Sequence, residues 1–394
     1  MWFKKLFIGA LAVIAFAQDG PIRKEGAHWV QVVTGSVTIP SDCRLKVETR
    51  GPVTLRGLTE DRVTYTIKKR VRARSEAEAR ALLKAASIRA SHRNGVATIA
   101  LDQRARSAVT AEMELRSRAD LQLVSVDTIG GDVQVYDIEG AVQAESGGGL
   151  IQMDRIGADV SARTGGGEIR FGKVGGSIRC FSAGGSIHVQ HAGKESWLET
   201  AGGDIFVRES GGPIHTSTAG GNISIQRAAS MVSARTSGGR IEVLQANGIV
   251  LADNSGGSIQ VGTAPGVRLA SAGGSIRLRG SSGSLRAVSD VGSILAELLS
   301  GSNLQDSILS TGAGDITVYI PSNLALTIKA LNENGPAGRI VSEFSEVMVR
   351  QQAAEAARPD VNRQSVMAEG ALNGGGPVLR LTSTGGTIYL KRQH

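Results

Sequence analysis

His188, His191 and His215 fall close together in the chain, and imidazoles at such spacing raise a metal site. Asp132, Asp204 and Asp315 each follow a glycine, which raises calcium, the ion of aspartate-bearing nonapeptide coils. Arg179, Phe181, Trp197 and His215 combine ring faces with a cation, a set suited to stacking on a sugar or a partner protein. Carboxylates paired on neighbouring strands would suit polysaccharide cleavage. Each of these depends on which side chains the fold brings together.

The elements that must position them repeat. Gly131, Gly140, Gly149, Gly167, Gly176, Gly185, Gly203, Gly212, Gly221, Gly239, Gly248 and Gly257 lie on one nine-residue grid. Ala158, Lys194 and Ser230 fill its three gaps, and after Gly266 the grid slips by one residue and resumes at Gly274. Two positions after each grid residue stands Val or Ile, as in Ile169, Ile178 and Ile187, and four positions after stands another apolar or small residue. This is strand alternation, with offsets 2 and 4 inward and odd offsets in water. Glycine is expected to supply positive φ at the reversals.

A longer period lies inside the first. At offset 6, alternate units carry Ser146, Thr164, Ser182, Thr200, Thr218 and Thr236, while the others carry Asp137, Arg155, Lys173, His191, Glu209 and Arg227. The fold class expected is therefore all-β: a glycine-rich β-solenoid with 18-residue coils, each made of two nine-residue strand-turn units in opposed sheets. Coils at about 4.8 Å would make residues 131–310 a rod roughly 48 Å long. One coil cannot bury its own apolar side chains, so neighbours must cover them.

That architecture weighs against several chemistries. His188 and His215 are 27 residues apart and fall on opposite sheets, so no metal site is expected. The three aspartates lie on non-adjacent coils and lack the calcium-coil pattern. Down the offset-1 column no two acids are neighbours, and no catalytic residue is assigned. The hydroxyl column shares the parity of the core and is expected to bond turn backbone internally. Cys180, at an inward offset, reads as a core residue. Arg179, Phe181, Trp197 and His215 remain, projecting from one sheet on three successive coils. The plainer account of them is cover by a terminal segment or the 343–370 stretch.

The flanks set the domains. Residues 1–17 read as a signal peptide: Lys4 and Lys5, then LFIGALAVIAFA, then a small-x-small site at Ala15-Phe16-Ala17. Residues 18–125 form an N-terminal strand-helix-strand cap, with a helix over 75–88 begun by a Ser75/Glu78 capping box. The repeat occupies 126–331. Residues 332–376 read as a polar insertion or loop, EVMVRQQAAEAARP having helical character, and 377–394 as closing strands. No later apolar run reaches membrane length. Glycine, 52 of 394 residues, and aromatics, 4%, argue against an ordinary globular core, and 41% hydrophobic content argues against disorder. The net charge of +8, two of it from Lys4 and Lys5, is first a solubilising surface and second an attraction for anionic envelope polymers. Cys43 and Cys180 do not make a disulfide framework. No aromatic-basic module points to nucleic acid.

VTYTIKKRVRARSEAEARALLKAASI, the Gly-x-Ile/Val-x-Val strands and the ending LNGGGPVLRLTSTGGTIYLKR together resemble a bacterial family of exported β-strand-repeat proteins, the putative adhesins. The likeness covers most of residues 35–392. The resemblance implies a cell-envelope or secreted location and a surface-binding role without cofactor; some relatives are connected with envelope-stress sensing. The expected function is a non-enzymatic scaffold presenting outward side chains to an envelope polysaccharide or protein. A polysaccharide-active enzyme and a structural or stress-regulatory envelope protein are the alternatives.

Overall fold

The computed structural model describes residues 16–102, 109–301, 303–333, 339–352 and 365–393. Residues 1–15, most of the expected signal peptide, lie outside them. Strand Phe16–Asp19 spans the expected cleavage junction. The chain divides into two compact units, Met1–Gly176 and Ser177–His394. Both are built almost wholly from short strands in two sheets; one helix, Glu76–Ala85, occurs among the described residues.

In the first unit, one sheet stacks Val96–Leu101, Arg44–Thr49, Leu123–Thr128, Ala141–Ser146 and Val160–Thr164 in parallel. The other stacks Thr110–Arg118, Val53–Leu58, Val133–Ile138, Ile151–Ile156 and Ile169–Val174. Parallel coil strands therefore start at Arg44, well before residue 126. The chain from 44 to 58 is stacked between later segments, so chain order and stacking order differ. Antiparallel strands Arg62–Val71 and His28–Thr38 continue the second sheet.

The helix begins with the expected Ser75 cap, whose hydroxyl accepts the Glu78 N–H at 3.2 Å. The reciprocal half differs: Glu78 takes the Arg74 N–H at 2.8 Å rather than that of Ser75. Ala79 and Leu83 are buried. Lys69, on strand Arg62–Val71, is buried and donates to the Leu83 and Ala86 carbonyls at 3.1 and 3.5 Å, satisfying acceptors that the helix end leaves open. Burial pushes its ammonium below the ordinary lysine value.

In the second unit, Ile187–Ala192 pairs in parallel with Ile205–Ser210, and that with Ile223–Ala228 and Ile241–Ala246. Each pairing advances eighteen residues, which sets Ile187, Ile205, Ile223 and Ile241 in one column, all buried. The column continues through Ile259, Ile276, Ile294, Ile316 and Ile388. In the other sheet, Ile178–Ser182, Ser196–Thr200, Ile214–Thr218, Val232–Thr236 and Val250–Asn254 stack likewise.

Three expectations need correction. The first concerns glycine. Among the grid glycines of the regular stack, none has positive φ; Gly283, beside the slip, does. What they provide is close approach: a Cβ on Gly221 would sit 2.0 Å from the Gly203 carbonyl oxygen, and one on Gly167 2.0 Å from that of Gly149. The second concerns parity. In the Ile187-type strands the chain bulges after offset 4, so Ala192, Ser210, Ala228 and Ala246 are buried while His191, Glu209 and Arg227 turn outward. Left-handed φ at Asp137 (61°) and Arg155 (54°) marks the same bulge in the first unit.

The third concerns the end. Met348–Gln352 is a strand, not helical, and Ser365–Leu372 is a strand rather than loop. They pair antiparallel with each other, and Ser365–Leu372 pairs with Leu326–Asn332. Small residues such as Ala368 and Gly370 hide the alternation that buries Val366, Ala368 and Leu372. Val378–Ser383 does not close the stack. It inserts between Ser307–Thr311 and Leu326–Asn332, pairing with both. Residues 353–364 of the 343–370 stretch lie outside the described residues.

Candidate functional site

The hydroxyl column is structural. Thr218 donates to the Gly203 carbonyl at 2.9 Å and accepts the Gly221 N–H at 3.2 Å. Thr200, Thr236 and Ser289 do the same one coil at a time, and Asn254 substitutes its amide for the hydroxyl. Each side chain ties its own turn to the preceding one while buried, so the column presents nothing to a ligand.

The glycine-following aspartates are engaged as well. Asp132, Asp204 and Asp315 accept the backbone N–H of Leu150, Asn222 and Thr387 on the next coil at 2.8, 2.7 and 2.8 Å. Among the described residues, no group of three His, Cys, Asp or Glu is placed to hold a metal. His188 and His215 sit on different sheets. His191 faces Glu209 at 3.5 Å, which also faces Arg227 at 3.8 Å. Cys43 and Cys180 are free and buried, and burial pushes both thiols up.

The outward aromatic row is built by register. Arg179 pairs with Trp197, and Trp197 with His215, so the three occupy successive rungs of one sheet. The Trp197 and His215 rings stack at 3.9 Å between centroids and 13° between planes. Trp197 is 47% exposed. His215 Nε2 lies 3.4 Å from the Glu195 carboxylate, which holds the imidazole edge while its face meets the indole. Phe181 belongs to the next outward row, opposite Glu199, and is half-buried. It flanks the Arg179–Trp197–His215 row rather than continuing it, because two residues along a strand share a face but not a rung position.

Two features escaped the sequence. On the other sheet, His188 and Phe206 are register partners with rings 6.1 Å apart. Both stand at offset 3, the position of Trp197 and His215, which is the signal that would have found them. In the first unit, Glu48, Asp127 and Glu145 occupy three successive rungs of one outward row. Glu48 lies off the nine-residue grid, so only strand pairing reveals this column. Burial, and then the Glu145 carboxylate, push the Asp127 carboxyl up from its ordinary value; Lys46, bridged to Glu48 at 2.6 Å, opposes this.

A carboxyl with raised folded-state pKa binds its proton more tightly in the native than in the unfolded chain. Its contribution to stability is therefore lost as pH rises from the ordinary carboxylate value through the raised one. Asp127→Asn is expected to stabilise the fold at neutral pH by less than about 1 kcal/mol, and so to raise the melting temperature, since a part-buried charge beside a like-charged neighbour is removed. The gain should vanish at pH values below the carboxylate range. Melting curves across pH check both statements.

No family model matches the chain, and no curated protein matches it. Among solved structures it is similar to a putative adhesin from Bacteroides fragilis, at 16% identity over 73% of this chain and 96% of that one, TM-score 0.22. It is also similar to a putative lipid binding protein from Parabacteroides distasonis, at 10% identity over 73% and 97%, TM-score 0.30. A putative adhesin from Parabacteroides merdae gives 12% identity over 73% and 96%, TM-score 0.28. The β-solenoid-like architecture rests on this chain's own strand pairing. No helix among the described residues is long and apolar enough to cross a membrane.

Proposed function

We propose that the protein is a non-enzymatic, exported envelope scaffold that binds a surface polymer or partner protein through the outward rows of its sheets. The observation that carries this reading is the Arg179–Trp197–His215 row: a half-exposed indole, stacked on an imidazole, with a cation on the adjoining rung. An aromatic plane with a neighbouring cation suits the apolar face and the charged or hydroxyl substituents of a sugar. The inward columns are consumed by packing and by turn hydrogen bonds, which leaves recognition to the outward ones.

The full chain, incubated with a panel of envelope polysaccharides with and without divalent metals, should be retained by one of them and release no new reducing ends. Product release would replace this reading with the polysaccharide-active one. Failure to bind any glycan, together with capture of a partner by crosslinking in the native envelope, would replace it with the structural or stress-regulatory one.

A further inference from the structure

The outward row that carries Trp197 and His215 continues through Ser233 and Leu251 into a chemically different stretch further along the same sheet. Arg268 pairs with Arg286, Arg286 with Ile308, Ile308 with Arg380, and Arg380 with Lys329. These are outward positions, and all four cations are exposed. Rungs at about 4.8 Å put the four charges in single file over roughly 19 Å. Arg235 and Arg279 in this unit, by contrast, face acids: Arg235 meets Asp253 at 3.1 Å, and Arg279 meets Glu297 at 3.8 Å. Among the described residues, neither an ion pair nor a side-chain hydrogen bond holds Arg268, Arg286, Arg380 or Lys329. Acids nearby include Glu369, the register partner of Lys329 at the row's end, Asp306, whose carboxylate accepts the Val378 N–H at 2.9 Å, and Asp253, the register partner of Ala270, which Arg235 engages.

We propose that this row is a binding track for a linear acidic polysaccharide, one carboxylated sugar unit lying across each cationic rung. The row sits on the face of a sheet, and strand spacing is of the order of one pyranose ring. The neighbouring outward row is Ala270, Val288, Ser310, Thr382 and Leu331, uncharged on every rung of the track and a floor on which a sugar chain can lie; the acid on the rung before it, Asp253, is held by Arg235. Membrane binding would call for large apolar side chains beside the cations. Single-stranded nucleic acid would call for aromatic stacking platforms. The row has neither an apolar face nor a ring on its cationic rungs: Leu251 and Ile308 stand singly between polar or charged neighbours. The track occupies other rungs of that row than Trp197 and stands independently of what those rungs bind.

The test is binding of the full chain to polygalacturonate fragments of graded length. Affinity should rise with length up to about five units, the number of rungs the four cations span, and fall steeply with added salt, because exposed charges are screened. Arg268→Gln/Arg286→Gln/Arg380→Gln should weaken binding at least about tenfold and flatten the salt dependence. The corresponding Lys variant should retain most of it. Removing as much charge elsewhere, with Arg89→Gln/Arg93→Gln/Arg240→Gln, should leave binding close to that of the parent. Ser310→Glu, which sets an acid beside the track without removing a cation, should weaken it if the triple variant fails to fold. Parental affinity in the Gln variant overturns the proposal. So does equal binding of neutral dextran, or binding of anionic phospholipid vesicles or single-stranded DNA without polygalacturonate.

Discussion

Gly221→Ala is expected to destabilise the second unit by about 3 kcal/mol or more, although it adds one methyl group. The methyl carbon would stand 2.0 Å from the Gly203 carbonyl oxygen and 2.4 Å from its carbon, both backbone atoms that cannot rotate aside. Relief requires the two turns to move apart. That movement breaks the relay in which Thr218 accepts the Gly221 N–H at 3.2 Å and donates to the Gly203 carbonyl at 2.9 Å. The adjacent Gly220 is the internal control. A Cβ there meets nothing nearer than 3.7 Å, so Gly220→Ala should leave the melting temperature nearly unchanged. Chemical denaturation of the pair decides it: equal losses would mean that the second glycine of each doublet is chosen for chain flexibility and not for contact between turns.

Ile223→Ala is expected to cost about 2–5 kcal/mol, by a different route. Ile223 is 1% exposed and stacks between Ile205 and Ile241 in the isoleucine column. Deleting its branched side chain removes apolar burial and opens a void that parallel neighbours cannot close, because their backbones are fixed by the ladder. Each coil is covered only by those beside it, so the loss should appear as exchange of backbone amides on strands Ile205–Ser210, Ile223–Ala228 and Ile241–Ala246 before the rest of the unit. Ser224→Ala, one residue along and outward, should change stability by no more than about 0.5 kcal/mol. Matching losses at both positions would contradict the inward assignment of the column.

These variants also mark what the sequence made legible. The isoleucine column and the buried hydroxyl column could be read directly, because a branched residue at offset 2 and a small polar one at offset 6 recur with little interruption. The reason for the glycines could not be read: positive φ and close approach both demand glycine, and only the position of the preceding turn separates them. The bulge that turns His191 outward and buries Ala192 was hidden for a similar reason, since it breaks the period of two that strand reading assumes. The ends were illegible because stacking order departs from chain order, with Val378–Ser383 and Arg44–Thr49 each inserted between strands remote in sequence.

For the candidate site, the eighteen-residue period was enough to align Arg179, Trp197 and His215. It put Phe181 on the same sheet without separating its row from theirs, and Phe206 lies on the other sheet. The Glu48–Asp127–Glu145 column and the Arg268–Lys329 track both join segments that do not share the regular grid.

In the proposed function, inward columns build the fold while the outward row around Trp197 recognises a ligand. The most direct measurement is binding of Trp197→Ala to the envelope polysaccharide that retains the parent chain, alongside its thermal melting. The indole is half exposed and lies on a stacked imidazole, so its loss should weaken binding about tenfold, as expected for removing an aromatic anchor from a binding surface. The melting curve should superimpose on that of the parent. Unchanged binding with an unchanged melting curve would contradict the claim.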